Sequence, residues 1–372
     1  MSSRNELLLL GGVLLVLALA SPLDAEPYLA VRTGLKCGQC HVNRTGGGGR
    51  NAFGSVWAQT QLPVRSAAIR SRSLNDWVAV GLDLRTLGAW NAALGPGLDG
   101  ATPRTTLEIT DAQVQLEARL IDNALAFYID QTVAPDRVVA REAFAMYERL
   151  PLQGYVKAGK FLLPYGWRIW DNAAFIREET GFTYFTSDLG VEVGIEPGPF
   201  SWFVALTNGS VGGPEGNSEK MLTSSAVITF PSFRVGASAS HNSGAGLTTN
   251  VVGGYAGVTL GPLVVLGEVD AVFDSFDDPA EDDRDEILAF VEGNFLVHKG
   301  VNVKVSHGFH DPTASLRSDV LSLTEDQRAR TRIGVEAFPI SFVQISAFYA
   351  RLDNAGESDD VDQLSLELHL HF

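Results

Sequence analysis

Cysteine is nearly absent from this chain of 372 residues, in which only Cys37 and Cys40 occur. A closed zinc site needs four ligands, so the lack of further cysteines argues against one. Long apolar runs are also missing: the longest, Leu7–Ala20, has fourteen residues, whereas a transmembrane helix needs about 20. No catalytic triad, phosphate loop or nucleotide fingerprint occurs. The sequence therefore excludes a helical membrane domain and gives no support for hydrolytic or nucleotide chemistry.

The two cysteines form one motif with a histidine. In the stretch GLKCGQCH, Cys37 and Cys40 are followed at once by His41. This spacing is typical of covalent haem attachment, in which each thiol bonds to a vinyl group and the adjacent imidazole binds the iron. The alternatives are a C-x-x-C redox pair and half of a zinc site, but a redox pair gives no reason for the histidine. The sequence predicts one haem c, with His41 as the proximal ligand.

Haem attachment of this type requires export from the cytoplasm, and the first residues predict it. Arg4 precedes the apolar run, and small residues follow it. This order is typical of a secretory signal peptide, predicted here at residues 1–25. Cleavage is compatible with positions after Ala20 or after Ala25. The remaining organisation is predicted as a haem segment at 26–75 and a second domain at 76–372.

From Trp77 onward the sequence alternates between apolar and polar residues in stretches of ten to fourteen. This alternation predicts an all-β fold, a transmembrane outer-membrane β-barrel of about 16 antiparallel strands. The short haem segment is expected to dock in the periplasmic mouth. The predicted strands lie at 76–90, 105–120, 123–133, 138–149, 153–163, 187–197, 200–208, 220–230, 232–241, 247–260, 262–274, 285–298, 301–310, 327–338, 341–352 and 361–372.

The connections between these strands alternate in length. Every second one is short and rich in Pro, Gly or Asn, as in LGPL at 260 and FPIS at 338. Most of the others are long and polar. Outer-membrane barrels have short periplasmic turns and long outer loops, so both chain ends are expected in the periplasm. The final strand, VDQLSLELHLHF, ends in an aromatic residue and resembles the assembly signal of bacterial outer-membrane barrels. A soluble multi-sheet protein is the alternative.

Strand parity assigns side chains to the two faces of the barrel, because successive residues of a strand point to opposite sides. In strand 105–120, Val114 and Leu116 are expected to face lipid, and Gln115 and Glu117 the lumen. The same reasoning places several carboxylates inside. The connection 164–186 is rich in aromatic residues and is expected to enter the pore as a constriction.

The haem segment has a charge opposite to that of the whole chain. Residues 27–75 contain seven basic residues and no acidic one, whereas the net charge of the chain is −16. About fifty residues are too few to bury a haem unaided. We therefore expect this basic segment to enter the acidic mouth of its own barrel. Phe53 and Trp57, four residues apart, are expected to share one helical face against the porphyrin.

The stretch YLAVRTGLKCGQCH, followed by RNAFG, resembles the N-terminus of the fused monohaem cytochrome–porin family of outer-membrane iron oxidisers. In that family a single C-x-x-C-H is followed by an N-x-F-G element and a sixteen-stranded porin. The motif-level match covers Tyr28 to Gly54, whereas the barrel matches only in architecture. The four consecutive glycines 46–49 depart from the family pattern.

The resemblance implies an outer-membrane electron conduit that takes electrons from an extracellular donor, Fe(II) or another reductant, and passes them to a periplasmic cytochrome or other carrier. Such a protein would have Fe(II):cytochrome c oxidoreductase activity, which the sequence leaves open. The alternative is a porin for small solutes with a structural or gating haem. Outer-membrane lipid is an expected partner, and nucleic acid is not.

Acidic loops are expected to attract a cationic donor. The side chains chosen for this role lie in one loop: Asp277, Asp278, Asp282 and Asp283. For the second axial ligand, parity places His298, His369 and His371 on the lumen side at the periplasmic end, and we expect His369 or His371 ahead of His298, with Met146 behind. Parity places His310 on the lumen side at the outer rim, and His241 and His307 on the lipid side. A carbonyl, a water molecule or an open position are the other possibilities.

Overall fold

The computed structural model describes residues 26–94, 104–121, 124–135, 138–211, 213, 215–244, 246–314, 323, 326–355 and 360–372. The predicted signal peptide, with both predicted cleavage positions, lies outside the described residues. Among the residues that are described, no helix is both long and apolar enough to cross a membrane.

The described residues form sixteen strands: β1 Val78–Leu94, β2 Arg104–Ile121, β3 Leu125–Ala134, β4 Val139–Leu150, β5 Gly154–Leu162, β6 Ser187–Ile195, β7 Phe200–Thr207, β8 Met221–Thr229, β9 Phe233–Gly244, β10 Leu247–Leu260, β11 Leu263–Phe276, β12 Arg284–His298, β13 Val301–Asp311, β14 Arg328–Ala337, β15 Val343–Asn354 and β16 Asp360–His371. Each strand pairs with its sequence neighbours, and β1 pairs antiparallel with β16. The barrel is closed, so no sheet edge is left open. The predicted fold class and strand number are confirmed.

The two ends of the barrel differ as predicted. One end, the short-turn rim, carries the tight connections 151–153, 196–199, 230–232 and 299–300. The opposite end, the long-loop rim, carries longer connections such as 208–220 and 277–283.

The two faces of the wall follow the predicted parity. In β2, Val114 and Leu116 are each 40% exposed on the outer face, whereas Gln115 and Glu117 are 6% and 5% exposed on the inner face. An apolar outer face and a polar lumen are what a barrel in a lipid bilayer requires. The inward carboxylates Asp188 and Glu192 of β6 and Glu268 and Asp270 of β11 are buried as well. Asp274, near the end of β11, is partly exposed.

His298 departs from the parity prediction. The pairing of β12 with β13 shifts register between Leu296 and His298, and a bulge of this type turns the following side chain to the other face. His298 is consequently exposed and does not point into the lumen. His310 faces inward near the long-loop rim, and His241 and His307 are on the outer face, as predicted.

Four short helices lie outside the wall: α1 Pro27–Thr33, α2 Cys37–Cys40, α3 Ala52–Thr60 and α4 Phe175–Glu178. Helix α1 begins with Pro27, whose fixed φ suits a first helical position. It ends at Gly34, which has a φ of 67°, a conformation that favours glycine. A Cβ at Gly34 would lie 2.6 Å from the Cα of Pro231. Gly34 therefore both ends the helix and lets the chain pass close to a turn of the barrel.

The connection between β5 and β6, residues 163–186, folds into the barrel, and we call it the lumen loop. Tyr165, Trp167 and Phe175 are each no more than 3% exposed. The rings of Tyr165 and Phe182 stack with their centroids 4.2 Å apart. Helix α4 packs against β11, β12 and β13. The predicted entry of this connection into the pore is confirmed.

A buried ion pair fixes the lumen loop. Arg177 Nη2 lies 2.9 Å from Glu268 Oε1, and the two side chains are 1% and 0% exposed. Replacing Arg177 with alanine leaves the Glu268 charge buried without this partner. We expect a loss of about 3–5 kcal/mol of stability, as found when one member of a buried pair is removed. Thermal unfolding, followed by the gel mobility of the folded barrel, measures this loss.

The matched control is the double variant Arg177→Met with Glu268→Gln. It keeps the side-chain volume and the acceptor that Glu268 offers to the backbone N–H of Trp167, at 2.7 Å, but removes both charges. We expect it to recover most of the lost stability. Equal losses in the single and double variants would show that charge pairing does not hold the loop.

Candidate functional site

The N-terminal segment, residues 26–75, enters the barrel at the short-turn rim. Lys36 Nζ donates to the carbonyls of Glu196 and Phe200, at 2.9 and 2.8 Å. Further along, the N–H of Arg65 donates to the carbonyl of Pro339 at 2.8 Å. These acceptors belong to short turns or to their edges. The segment is therefore anchored to the rim while its first part lies within the lumen.

Charge complementarity holds the segment inside. Arg44 forms ion pairs with Glu196 and, at 3.2 Å, with Glu148. Arg32 Nη1 donates to Asn302 Oδ1 at 3.0 Å. These contacts join basic residues of the segment to acceptors on the inner wall, which is the kind of contact that docking of a basic segment in an acidic lumen requires.

Cys37, Cys40 and His41 line one cavity. It lies between the N-terminal segment, the lumen loop and the wall formed by β7–β10, and it contains about 1050 Å³ of space, part of which is open to solvent. Much of the lining is apolar and aromatic: Leu29, Trp57, Trp167, Phe203, Val227 and Tyr255.

The Cys-x-x-Cys turn is supported by the RNAFG stretch that follows it. The side chain of Asn51 caps α3 by accepting from the N–H of Gly54 at 2.9 Å, as N-cap residues do. Its Nδ2 donates to the carbonyls of Gly38 and Gln39, at 3.2 and 3.1 Å. A Cβ at Gly54 would lie 2.0 Å from the carbonyl oxygen of Cys40. The asparagine and the glycine thus pack α3 directly on the turn that holds the thiols.

His41 has the properties of a ligand that stays neutral. Its Nδ1 is buried and makes no hydrogen bond among the described residues. Burial lowers the pKa of His41 to about 3, and the charge of Arg50 acts in the same direction. A neutral imidazole is the form that binds metals.

The backbone conformation and the nearby barrel wall explain why glycines follow the motif. Gly46, Gly47 and Gly48 have φ values of 93°, 82° and 61°, which side chains disfavour. A Cβ at Gly48 would also lie 2.8 Å from Glu142 and from Tyr128 on the barrel wall. Bulkier residues would force this loop away from the wall and move His41 with it.

Cations outnumber carboxylates around the cavity. Lys36, Arg50, Arg168 and Arg234 line it. The lining carboxylate of Glu26 lies 2.8 Å from Lys304 Nζ. In the described part of the chain, Arg168 bonds to backbone carbonyls, and Arg234 Nη2 lies 3.5 Å from Cys37 Sγ. The cavity is thus suited to a largely apolar ligand that carries carboxylates.

These features fit a covalent haem, which needs two thiols, an imidazole, an apolar enclosure and positive charge near its propionates. Trp57 lines the cavity, and its contact with a porphyrin stays a prediction. Phe53 does not line the cavity: it is 52% exposed. Helix α3 buries a face formed by Gly54, Ser55, Ala58 and Gln59, so Phe53 lies beyond the edge of that face, although it is four residues from Trp57.

His369 and His371 line a second cavity on the other side of the glycine loop, not the cavity of His41. His369 is hydrogen-bonded through Nε2 to Asp83 at 2.7 Å and through Nδ1 to Gln344 at 2.9 Å. His371 Nδ1 lies 3.1 Å from Arg50 Nη1. Both histidines are buried and inward-facing, as parity predicts. Their role as axial ligands stays a prediction.

The acidic loop between β11 and β12 is exposed at the long-loop rim, the end opposite the Cys-x-x-Cys turn. Asp278 and Asp283 accept backbone hydrogen bonds within this loop, at 2.9 and 3.1 Å. The structure therefore does not bring the acidic residues together with the cavity. A cation attracted by the acidic loop would have to pass the lumen loop to reach the cavity.

Sequence reasoning did not identify the residues that the wall and the lumen loop contribute to the cavity. Arg234 and Tyr255 lie on β9 and β10, and Trp167 and Arg168 lie on the lumen loop. Inward parity was a signal for the strand residues. No pattern in the sequence indicated which of the many inward residues would meet the haem motif.

Comparison with known proteins identifies the fold. No protein-family model and no curated protein sequence matches the chain. Among solved structures, the chain is similar to the outer-membrane protein OmpT of Vibrio cholerae, with a TM-score of 0.59 at 14% identity, covering 81% of this chain and 99% of that one. An anion-selective porin from Comamonas acidovorans gives 0.60 at 11%, covering 79% and 99%. Salmonella typhi OmpF in complex with daunomycin gives 0.56 at 12%, covering 79% and 97%.

The chain thus has the fold of a sixteen-stranded outer-membrane porin. At these identities the similarity concerns the fold of the barrel. The N-terminal segment and the lumen loop occupy the interior of this particular barrel, and a cavity lined by two thiols and an imidazole lies between them.

Proposed function

We propose that the protein is an outer-membrane electron conduit that carries one covalent haem c inside its barrel. Cys37 and Cys40 would hold the group through thioether bonds, and His41 would be its proximal ligand. When bound, the haem supplies a one-electron redox centre. The chain holds this centre in place, encloses it in an apolar cavity and separates it from the long-loop rim by the lumen loop.

One observation carries this proposal: the two cysteines of the chain and the adjacent histidine converge on the same apolar, cation-lined cavity within a closed barrel. An unrelated redox pair would not need this enclosure. The occupied lumen also favours a conduit, because electrons do not need an open channel, whereas solutes do.

The two rims favour a direction of transfer. If the short turns are periplasmic, as in other outer-membrane barrels, the Cys-x-x-Cys turn lies at the periplasmic end, and Gln39 within that turn is exposed to a soluble carrier. The acidic loop then faces the exterior, where its charge would concentrate a cationic donor such as Fe(II).

The experiment that tests the proposal is the visible spectrum of the purified protein before and after addition of Fe(II). We expect the bands of a c-type haem, and their reduction by the added metal. A c-type spectrum that Fe(II) leaves oxidised would retain the haem and remove iron as the donor. A colourless protein would contradict the proposal.

A second function is favoured by the fold. The solved structures with similar folds include porins, so the chain would serve as a diffusion channel for small solutes, with the haem as a structural or gating element. This alternative requires an open path through the lumen, and conductance therefore separates the two functions.

The acidic loop offers a test with an internal control. The carboxylates of Asp277 and Asp282 are exposed and make no hydrogen bond among the described residues, whereas Asp278 and Asp283 stabilise the loop. Neutralising Asp277 and Asp282 to asparagine is expected to slow Fe(II)-dependent haem reduction at low salt, because their charge attracts the cation. At high salt the difference should shrink, because ions screen exposed charges.

The matched variant replaces Asp278 and Asp283 with alanine, which removes the same charge and also the loop hydrogen bonds that these carboxylates accept. If charge alone matters, both pairs of substitutions slow the reaction equally. An unchanged rate at low salt in the first variant would exclude the loop from the mechanism.

A further inference from the structure

The haem held by this cavity would receive one axial ligand from His41. The structure shows which side chains are near enough to supply the second axial ligand. Imidazole, thioether, thiolate and phenolate side chains are the protein groups that bind haem iron. The described residues include all six other histidines and both methionines that follow the predicted signal peptide. None of them lines the cavity.

Four of the histidines are far from the cavity in the fold. His241 and His307 are exposed on the outer face, and His298 is exposed at the short-turn rim. His310 lies near the long-loop rim, where its Nε2 is 2.7 Å from Glu286. To reach the cavity, His241 and His307 would have to cross the wall, and His310 would have to travel along the lumen. The side chain of His298 is exposed at the rim and does not line the cavity.

His369 and His371 are nearer, but they line the second cavity. Both ring nitrogens of His369 are engaged, with Asp83 at 2.7 Å and Gln344 at 2.9 Å. The strand backbone of β16 pairs on both sides, with β1 and with β15, which prevents this terminal strand from moving inward. His369 cannot enter the cavity of His41 without breaking its two hydrogen bonds. His371 is held by Arg50, whose Nη1 lies 3.1 Å from its Nδ1.

The two tyrosines and the lysine that line the cavity already make hydrogen bonds. Tyr165 donates its hydroxyl to Asp270 at 2.8 Å, and burial raises the pKa of Tyr165. The hydroxyl of Tyr255 lies 3.1 Å from that of Ser225. Lys36 precedes Cys37 directly and donates to two backbone carbonyls. None of these side chains offers a free donor for iron.

We propose that the chain supplies a single axial ligand, His41, and that the opposite position is an open binding site for a small exogenous ligand. This inference rests on the proposed haem. The site would accept neutral ligands with a lone pair, such as carbon monoxide or imidazole, in a space bounded by aromatic side chains. It adds a ligand-binding capacity that a closed electron-transfer centre with two protein ligands lacks.

The test uses the purified full-length protein in detergent. Haem staining on a denaturing gel first establishes covalent attachment. The ferric spectrum is then recorded with and without imidazole, and the ferrous spectrum with and without carbon monoxide. We expect a high-spin ferric spectrum that becomes low-spin with imidazole, and a ferrous spectrum that shifts with carbon monoxide.

The outcomes separate the two proposals. Positive staining with a low-spin ferric spectrum that imidazole leaves unchanged would overturn the open position and retain the proposed haem. Absence of staining would overturn both. The variant His369→Ala with His371→Ala provides the control: we expect the same high-spin spectrum as for the unmodified protein. A low-spin spectrum in the unmodified protein that becomes high-spin in this variant would assign the second ligand to one of these histidines.

Discussion

Replacing both Cys37 and Cys40 with alanine is expected to remove all covalently bound haem. The two thiols are the complete cysteine content of the chain, and both line the cavity of His41. No other side chain can form the thioether bonds. Haem staining of a denaturing gel measures this loss directly, because only covalent haem remains with the unfolded chain.

The barrel itself should survive this change, since both side chains are small and lie in the N-terminal segment. Heat-modifiable gel mobility checks that the barrel is folded in the variant. The exposed residue Phe53 provides a matched control: Phe53→Ala should retain full staining, because its side chain does not line the cavity. Staining that persists without both cysteines would refute covalent attachment through this motif.

Full-length protein in a planar bilayer is expected to conduct small ions only weakly. The lumen contains the first part of the N-terminal segment and the lumen loop, whose aromatic side chains are buried against the wall. Porins conduct because their interior is water-filled. A variant without residues 26–75 should conduct more strongly, because it loses one of the two elements that fill the pore.

A second variant separates the two elements. Arg177→Ala releases the ion pair that fixes the lumen loop but leaves the N-terminal segment in place, so it should raise conductance less than removal of residues 26–75 if that segment is the main obstruction. Large, steady currents from the unmodified protein would contradict an occluded barrel and favour the porin function.

The charges of the chain explain why the N-terminal segment occupies the lumen. The N-terminal segment is basic, and the inner wall offers Glu148 and Glu196 as partners for Arg44. Pairs buried inside a barrel are screened less by salt than exposed ones. We therefore attribute the position of the segment to specific ion pairs and hydrogen bonds together with the apolar contacts of α1.

The sequence by itself determined the wall of this protein. Alternation at period two places side chains on opposite faces of a strand, so the sixteen strands, their faces and the inward carboxylates could be predicted locally. The alternating lengths of the connections determined the two rims. The prediction of a covalent haem likewise rests on the spacing of the Cys-x-x-Cys-His motif alone. The strand alternation and the motif each lie within a short stretch of sequence.

Only the tertiary structure determined which residues contact one another inside the barrel. The cavity joins Cys37 to Arg234 and Trp167, residues more than a hundred positions away along the chain, and no local pattern encodes such a meeting. The tertiary structure also placed Phe53 outside this cavity and His369 in a separate cavity. Helix packing fixes the position of Phe53, and barrel closure fixes the position of His369 around the lumen, which strand parity does not determine. Parity gives the face of a residue, but it does not give its neighbours across a lumen.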